Sequence, residues 1–562
     1  MGRPDRDRDR PGRGVLGGRG LSSEVPREAP GRLHLPLPAR LNGVFAVPAF
    51  ALAAGLGVPA SFGLWAPVRH LLARLPWHEA CELGEEVVGG VVEPGARDVV
   101  VPVRKKAWEA ALGGEEAARP YVRARLAGWP ARPLVDRDSL PRTDREFVAR
   151  LAQDTWRGLE ALTDRDNHLP IDNVRFGGTS VFKAEARVGD YTNVTSVGLR
   201  LIALVAASEL ELVPRAEAAR RVRELLATLD GLETYRGFFY NYYDTTSRER
   251  TSNFLSFVDS SWLTAGLMVV RTTFPELGEP CSRIIAAQDY RFFYDAARRR
   301  MSHGYYVHLA SQSRYHYGTL YAESRLGSLI AIGKGDVPEE HWFAMARTFA
   351  PSCRWQTQTP HGRVRKEVRG QAFFGGWYEW KGAKYVPSWG GSMFEALMPA
   401  LVLDEARWAP GSLGANAAAH VDVQRRFAVE ELGYPVWGMS PSMTPARDVY
   451  GEYGVRVLGV LGYGPGAVTP HAAALALGVA PEAAGDLREL ARRYDLYGDF
   501  GFYDAVDPRS GDVAHAYLAL DQTMTFIAAA NYLKDHCIQR RFASDPIAEK
   551  ALPILDDERF FD

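Results

Sequence analysis

Residues 191–210 read YTNVTSVGLRLIALVAASEL, a run in which apolar side chains recur at helical spacing. Similar helical patterns follow along the chain from Thr143 onward, separated by loops rich in glycine and aromatic residues. Runs with an alternating β pattern are rare, and no fixed sequence period indicates a solenoid. The pattern therefore predicts an all-α fold, in which one large helical domain carries long loops that build a site.

The predicted helices share this spacing, and several begin with start signals such as the capping box from Ser392 to Glu395. The first helix begins at a second capping box, from Thr143 to Glu146. The others are predicted over residues 193–212, 215–229, 259–272, 320–333, 338–348, 391–403, 417–433, 468–478, 481–494 and 513–534. FFGGWYEWKGAKYVP, residues 373–387, is the best candidate for a small β-hairpin insertion.

The composition limits the kinds of partner that the protein can have. The chain has 562 residues, 46% of them hydrophobic, so it can bury a large core. Its 67 Lys and Arg residues balance 68 Asp and Glu residues, which predicts no general attraction to nucleic acid or to an anionic membrane surface. A neutral, polar substrate fits this balance at least as well as a charged one. The four cysteines form no CxxC motif, and we interpret them as ordinary buried or free thiols.

The ends of the chain differ from its middle. Residues 1–40 are rich in Arg, Asp, Pro and Gly and predict a disordered leader. Residues 41–68 carry no charge from Leu41 to Val68 and are interpreted as an export or anchor segment, with a buried apolar stretch as the alternative. Export or membrane anchoring is therefore expected, and otherwise a cytoplasmic location. Residues 69–142 are predicted to be a linker or peripheral region and residues 546–562 a C-terminal tail, which flank a domain over 143–545.

Aromatic residues cluster in three apparent loops, at residues 235–244, 302–318 and 373–389, with polar side chains between them. Sugars present apolar C–H faces and polar rims, so a sugar cleft needs flat aromatic platforms beside hydrogen-bonding groups. A single aromatic residue more often packs a loop onto the core, but three mixed clusters together favour a cleft. The predicted substrate-binding aromatic residues are Tyr240, Tyr242, Tyr317, Trp389, Trp437 and Tyr503.

Acidic residues inside apolar stretches are a second indication, because an unpaired buried carboxylate is costly. Glu323 lies near the start of a mostly apolar helix, Asp521 interrupts YLALDQTMTFIAAANYL, and Asp504 lies in YGDFGFYDAVDP. Structural explanations compete: an ion pair with Arg325 or Arg314 for Glu323, a helix cap for Asp521 and a turn for Asp504. Cleavage of a glycosidic bond calls for two carboxyl groups, and these acids could supply them. Which two face each other stays open.

Two further acids and the absence of other motifs complete the candidate site. Asp259, in FLSFVDSSWL, and Glu395, in its capping box, could equally be helix-capping residues. The chain contains no GxxxxGK[ST], HExxH or GxSxG motif, which removes the commonest phosphate-loop, zinc-protease and hydrolase-elbow functions. We therefore predict no metal and no cofactor.

Taken in order, these stretches resemble the glycoamylase-like family. That family includes bacterial endo-β-1,2-glucanases and the helical transglycosylating domain of cyclic β-1,2-glucan synthases. The resemblance covers residues 145–545, and the ordered set of motifs is more specific than any single one. Its motifs include NHLPIDN (167–173), SFVDSSWLTAG (256–266), YAESRLGSLIAIGKGDVPEEHWF (321–343), SWGGSMFEALMPAL (388–401) and YGDFGFYDAVDP (497–508).

The resemblance implies an (α/α)6 toroid, two nested rings of helices with the substrate cleft at one end. It also implies activity on a β-glucan, with a β-1,2-linked glucan as the leading expectation. Glu323 matches the residue that resembles the family's general acid. Asp504 and Asp521 match the region that supplies the base in the hydrolases, and Asp259 and Glu395 match acids that line the cleft. The expected partner is thus an oligo- or polysaccharide, with membrane association only through residues 41–68.

One departure from the family concerns the mechanism. Cyclising relatives carry a Glu in a WGISES-like motif, whereas residues 437–443 read WGMSPSM, with Pro441 at that position. This favours an inverting hydrolase over the alternative, a retaining transglycosylase on the same glucan. A non-catalytic glucan-binding protein with the same fold is an alternative from another class. A helical-toroid polysaccharide lyase that uses Tyr and His is a third.

Overall fold

The computed structural model describes residues 135–176, 187–445 and 449–561 of the chain. Helices dominate these ranges, and the strands between them are short. The α-helices are α1 (Asp144–Ala161), α2 (Val194–Glu209), α3 (Arg215–Asp230), α4 (Phe257–Thr273), α5 (Gly278–Ala287), α6 (Arg325–Lys334), α7 (Glu340–Ala344), α8 (Met393–Leu397), α9 (Glu405–Trp408), α10 (Ala415–Arg426), α11 (Pro470–Leu475), α12 (Ala483–Arg493), α13 (Ala519–Leu533), α14 (Cys537–Ala543), α15 (Pro546–Ala551) and α16 (Pro553–Asp556).

The strands pair into antiparallel sheets of two or three strands. They are β1 (Asn173–Arg175), β2 (Arg187–Gly189), β3 (Tyr191–Asn193), β4 (Thr234–Tyr235), β5 (Phe238–Phe239), β6 (Tyr242–Asp244), β7 (Phe254–Ser256), β8 (Tyr294–Asp295), β9 (Arg300–Ser302), β10 (Gly304–Tyr306), β11 (Ser311–Gln312), β12 (His316–Tyr317), β13 (Gly362–Val368), β14 (Gln371–Trp380), β15 (Ala383–Tyr385), β16 (Ser442–Met443), β17 (Tyr450–Gly451), β18 (Tyr497–Gly498), β19 (Gly501–Phe502), β20 (Ala505–Val506), β21 (Val513–Ala514) and β22 (Ala516–Leu518).

Six helices, α2, α4, α6, α8, α11 and α13, are buried on nearly every side and are called the central helices below. Apolar residues cover the whole circumference of the longer ones, as is usual for helices with neighbours on all faces. Helix α13 packs against α2, α2 against α4 and α4 against α6, while α8 packs against α11 and α11 against α13. The fold is therefore predominantly helical, as predicted.

Helices α2 and α4 approach each other closely, with backbone against backbone. A Cβ atom added at Gly198 would lie 2.4 Å from the carbonyl oxygen of Trp262, and one added at Gly266 would lie 2.4 Å from that of Gly198. Only glycine leaves room for this contact, because any side chain would push the two helices apart.

A second set of helices covers the central ones. Helix α1 packs on α13, α3 on α2, α5 on α4, α15 on α6, α10 on α8 and α12 on α11. These helices are amphipathic, with buried residues on the face toward the centre, as in α3 and α12. The core of the domain thus lies between two layers of helices.

Several predicted helix bounds need correction. The helix predicted over 320–333 begins at Arg325, because residues 320–324 form bends and a turn instead. The helix predicted over 513–534 begins at Ala519, because residues 513–518 pair as β21 and β22. The hairpin predicted over 373–387 is confirmed and is larger, since β13, β14 and β15 form an antiparallel meander.

The two predicted capping boxes differ in outcome. At the start of α8, the Ser392 hydroxyl and the Glu395 carboxylate form the reciprocal bonds of the box. At the start of α1, the Thr143 hydroxyl donates to the Glu146 carboxylate at 2.6 Å and caps no backbone N–H. That second prediction is wrong, because the two side chains bind each other.

The segment 546–562, predicted to be a tail, packs into the domain as α15 and α16 and the residues after them. Glu558 is buried with Arg347 in an ion pair whose two side chains are fully inaccessible. Glu558 also accepts a hydrogen bond from the Trp342 indole at 2.8 Å. The prediction of a tail is therefore wrong, because this segment supplies the partner of a buried charge.

The predicted leader 1–40 and the apolar segment 41–68 lie outside the described residues, so export or anchoring stays a prediction. Among the helices of the described ranges, none combines the length and the apolar composition that crossing a membrane requires. Cys281 and Cys537 are buried free thiols, as predicted, whereas Cys353 is disulfide-bonded. The interpretation of all four cysteines as thiols is therefore wrong.

We expect Glu558→Ala to lower the free energy of unfolding by about 3–5 kcal/mol, because it leaves the Arg347 guanidinium buried without its counter-charge. Lys534→Ala is the matched control, since it breaks an exposed ion pair with Glu211 and should leave stability nearly unchanged. Denaturant unfolding measures both. Equal effects of the two substitutions would show that the C-terminal segment does not stabilise the domain.

Candidate active site

The central helices carry acidic residues at their N-terminal ends. Asp259 lies in the first turn of α4, Glu395 in that of α8 and Asp521 in that of α13. Glu323 lies in the turn two residues before α6. The partial positive charge of a helix N-terminus favours a carboxylate, so acids at these positions fit helices that are apolar along the rest of their length.

Two cavities lie at these helix ends and share one wall. The first cavity has a volume of about 340 Å³ and is lined by His303, Tyr317, Trp389, Glu395 and Tyr463, among others. The second cavity has a volume of about 430 Å³ and is lined by Asp172, Tyr191, Tyr242, Asp259 and Trp262, among others. Three residues line both: Glu323, Phe394 and Tyr450. Glu323 thus stands where the two cavities meet.

The Glu323 carboxyl group is suited to hold a proton near neutral pH. Burial, together with the negative charges of Glu395 and Asp259, raises the pKa of Glu323 to about 7, while the nearby Arg325 charge opposes this rise. Its side chain is still partly accessible, because it faces the cavities. The sequence left open an ion pair between Glu323 and Arg325, but in the structure Arg325 pairs with Glu405 instead. A reachable carboxyl group with such a pKa can act as a general acid.

Glu395 borders the first cavity and is held rigidly. Its carboxylate accepts hydrogen bonds from the Ser388 hydroxyl at 2.9 Å, from the Gly390 N–H at 2.9 Å and 3.0 Å, and from both the N–H and the hydroxyl of Ser392 at 3.1 Å and 3.0 Å. Burial raises the pKa of Glu395, and these hydrogen bonds oppose that rise. Both explanations from the sequence hold in part, since Glu395 closes the capping box and also borders the cavity.

Two aspartates line the second cavity together with Glu323. Asp259 accepts a hydrogen bond from the Thr195 hydroxyl at 2.7 Å. Asp172 accepts one from the Asn173 side chain at 2.7 Å, and burial raises its pKa. Asp172 was not among the predicted site residues, although it lies in the motif NHLPIDN. Its position could have identified it, because this acid follows buried apolar residues and directly precedes a strand.

Asp504 and Asp521 form a buried pair that lines neither cavity. Asp504 accepts a hydrogen bond from the Met443 N–H at 2.6 Å, and Met443 lines the second cavity, so Asp504 lies behind that wall. Burial raises the pKa of Asp504 to about 6, and burial with the Asp504 charge raises the pKa of Asp521 well above its usual value. Two adjacent buried carboxyl groups cannot both ionise, so they share a proton. The structure does not bring this pair into contact with Glu323.

The predicted aromatic residues divide into two groups. Tyr317 and Trp389 line the first cavity and Tyr242 lines the second. Tyr240 and Trp437 are buried in the core, where apolar contacts explain them. These two positions are corrections to the predicted cleft.

Tyr503 is a third correction, because it packs against Tyr517 and Phe176 and lines neither cavity. The sequence did not predict Tyr450 as a lining residue, although it is 52% exposed and borders both cavities. Tyr191 was also missed, and it contacts Tyr242 edge to face at 5.9 Å. No sequence pattern distinguished these tyrosines from those in the core.

The chain is similar to several known proteins. Residues 357–546 match the family model Glycoamylase, and residues 151–322 match DUF3131, described as a protein of unknown function. Over 300 residues the chain is 32% identical to cyclic β-(1,2)-glucan synthase NdvB of Rhizobium meliloti (strain 1021). The resemblance to the glycoamylase-like family is confirmed. The NdvB match covers 50% of this chain and only 9% of that protein.

Solved structures of similar fold include two β-1,2-glucanases. An endo-β-1,2-glucanase from Chitinophaga pinensis, in complex with sophorotriose and glucose, superposes with a TM-score of 0.56 at 16% identity and covers 75% of this chain and 99% of its own. A β-1,2-glucanase from Parabacteroides distasonis superposes with a TM-score of 0.58 at 15% identity, over 74% of this chain and 61% of its own. At this identity the likeness concerns the fold.

We expect the Glu323 carboxyl group to lose its proton near pH 7, since burial and its acidic neighbours disfavour the charged form. Infrared spectra recorded across this pH range should show a carboxylic acid band that disappears near pH 7 and is absent from Glu323→Gln. Asp504→Asn is the matched control, because it removes a different buried acid and should leave that component in place. An unchanged band in Glu323→Gln would refute the assignment.

Proposed function

We propose that this domain is a glycoside hydrolase that acts on a β-glucan, with Glu323 as the general acid. The observation that carries the proposal is the position of Glu323, a carboxyl group with a pKa of about 7 at the junction of two aromatic-lined cavities. Sugar residues bound in the two cavities would place the bond that joins them beside Glu323. A general acid is needed at that point.

The aromatic and polar lining supports a neutral saccharide as the substrate. Trp389, Tyr463 and Phe394 in the first cavity and Tyr191 and Tyr242 in the second offer flat apolar faces for the C–H surfaces of sugars. Polar side chains such as His303 and Asn193 lie among them and can bind hydroxyl groups. This lining needs no charged substrate.

The proposed substrate is a β-1,2-linked glucan. Support comes from the names of the similar proteins, a cyclic β-(1,2)-glucan synthase and endo-β-1,2-glucanases. The contacts among the central helices, with a second helix packed on each, support the proposal that they close into an (α/α)6 toroid. In such a toroid the N-terminal ends of the central helices would surround the substrate.

Asp259 is the proposed general base of an inverting reaction. Glu323 donates its proton to the glycosidic oxygen as the bond from the anomeric carbon to that oxygen breaks. A water molecule attacks the anomeric carbon from the opposite face and gives its proton to Asp259. Asp259 lines the same cavity as Glu323, and its negative charge helps to raise the pKa of Glu323. Asp504 and Asp521, the base residues predicted from the sequence, line neither cavity.

Pro441 supports hydrolysis rather than transglycosylation. It lines the first cavity together with Glu323 and Glu395, at the position where the cyclising relatives carry a Glu in their WGISES-like motif. A proline offers no carboxylate for a covalent glycosyl intermediate, which a retaining mechanism requires. The acid needed for retention is thus missing from this position.

The purified protein should release reducing ends from β-1,2-glucan in a panel of glucans, and Glu323→Gln should lower kcat by roughly 10²–10⁴-fold, because general acid catalysis contributes about that factor. Glu452→Gln is the matched control, since Glu452 is an exposed acid of the first cavity and is not proposed to transfer a proton. Proton NMR of the first product should show the inverted anomer.

Other outcomes of this assay would each select another function. A retained anomer would support the transglycosylase-type mechanism, and saccharide binding without new reducing ends would support a glucan-binding protein. An unsaturated product that absorbs in the ultraviolet would support a lyase. A fully active Glu323→Gln protein would exclude Glu323 as the acid.

Asp259→Asn should lower kcat by a factor of about 10²–10⁴ and leave the fold intact, because it removes the base that accepts the proton of water. Asp504→Asn and Asp521→Asn are matched substitutions of acids outside both cavities and should affect kcat much less. Single-turnover rates and melting temperatures of the three variants decide this. If only the buried pair proves essential in folded protein, the base belongs to that pair and not to Asp259.

A further inference from the structure

We propose that Arg325 and Glu395 are positioning residues for Glu323. The Arg325 guanidinium holds the turn that contains Glu323 against helix α8, and the Glu395 carboxylate keeps the proton on Glu323. The proposal rests on the proposed role of Glu323 as general acid and adds the residues that place and protonate it. It is carried by the contacts of two buried side chains.

The Arg325 guanidinium connects the two segments that carry the acids. One of its terminal nitrogens, Nη1, donates to the carbonyl oxygens of Ala322 and Glu395, both at 3.0 Å. The other, Nη2, donates to the carbonyl oxygen of Ala396 at 2.6 Å. Ala322 directly precedes Glu323, and Ala396 directly follows Glu395. A single rigid group therefore sets the separation between the backbones of the two acids.

The remaining donors of Arg325 are also occupied. Nε and Nη2 donate to the Glu405 carboxylate at 2.7 Å and 3.1 Å, and the guanidinium lies 4.4 Å from the centre of the Tyr321 ring. A guanidinium has five N–H donors in a fixed plane, and here five hydrogen bonds engage them. Lysine has three donors on a flexible stem and cannot reproduce this set.

The hydrogen bonds of Glu395 determine which of the two acids is charged. Its two oxygens accept only from N–H and hydroxyl donors, all of them within residues 388–392. Donors aimed at both oxygens favour the ionised form of a carboxyl group. Glu323 faces the same cavity, and a like charge there disfavours its own ionisation. The hydrogen bonds to Glu395 therefore oppose the effect of its burial and favour the charge on Glu395 and the proton on Glu323.

Other charged and titratable groups also face Glu323. Arg325 favours the charged form of Glu323, and Asp259 disfavours it. The titratable groups that line the first cavity beside Glu323 and Glu395 are His303, His316, Tyr317, Tyr450, Glu452 and Tyr463. Among the negative charges that raise the pKa of Glu323, that of Glu395 has the larger effect and that of Asp259 the smaller.

Arg325→Lys tests the positioning role. It keeps the charge and loses the simultaneous hydrogen bonds to Ala322, Glu395 and Ala396, so kcat on β-1,2-glucan should fall about 10- to 100-fold with KM little changed. The matched control is Arg347→Lys, which changes a second buried arginine–glutamate pair, between Arg347 and Glu558. Neither residue of this pair lines either cavity. It should lower the melting temperature without this loss of kcat. Equal kcat values for the two folded variants would overturn the proposal.

Glu395→Gln tests the electrostatic role. Without the neighbouring charge, Glu323 should lose its proton at lower pH, so the falling, alkaline limb of kcat against pH should move down by about one pH unit. Ser388→Ala removes only one donor to Glu395 and should move the limb in the same direction by less, which keeps the test decisive if Glu395→Gln folds poorly. An unmoved limb in folded Ser388→Ala and Glu395→Gln proteins would overturn the electrostatic role.

Infrared titration separates a failure of this proposal from a failure of the proposed function. The carboxylic acid band that Glu323→Gln abolishes should shift to lower pH in Glu395→Gln, whether or not the protein cleaves any glucan. If the band shifts and no glucan is cleaved, the proposed function fails and the interaction of the two acids stands. If glucan is cleaved and the band stays at its pH, the interaction fails alone.

Discussion

Burial of the central helices on all sides is the constraint on which the rest of the structure depends. Helices α2, α4, α6 and α13 have no solvated face along most of their length, and Gly198 and Gly266 bring two of them into backbone contact. Polar side chains in such helices can escape burial only at the ends. Asp259, Glu323 and Glu395 lie at N-terminal ends, where both cavities are found.

The same constraint explains why buried charges in the domain are paired. Arg325 and Arg347 are fully buried, and each is matched by a carboxylate and by backbone carbonyl groups. An unmatched charge at either place would cost several kcal/mol, roughly as measured for broken buried ion pairs. Glu323 differs because no cation among the described residues forms an ion pair with it, and burial favours its neutral form. The two buried arginines are thus fully paired, whereas the proposed general acid is a carboxyl group that favours its proton.

The proposed mechanism divides the acids in this small volume between positioning and proton transfer. Glu395 accepts hydrogen bonds from Ser388, Gly390 and Ser392 at the border of the first cavity, whereas Glu323 faces both cavities. The buried pair of Asp504 and Asp521 holds its proton behind the wall. Chemical type alone does not separate these roles, because all four side chains are carboxyl groups.

The sequence by itself determined the predominantly helical class, the start of α8 at its capping box and the resemblance to the glycoamylase-like family, and it made Glu323 a candidate, because each depends on local periodicity, on capping chemistry or on an ordered set of motifs. Only the tertiary structure decided that Tyr240 and Trp437 belong to the core, that Asp172 and Tyr450 border the cavities, and that the last residues complete the domain. Burial, cavity lining and the pairing of Arg347 with Glu558 join residues far apart in the chain. No local pattern encodes which of them meet, because that depends on how the helices pack.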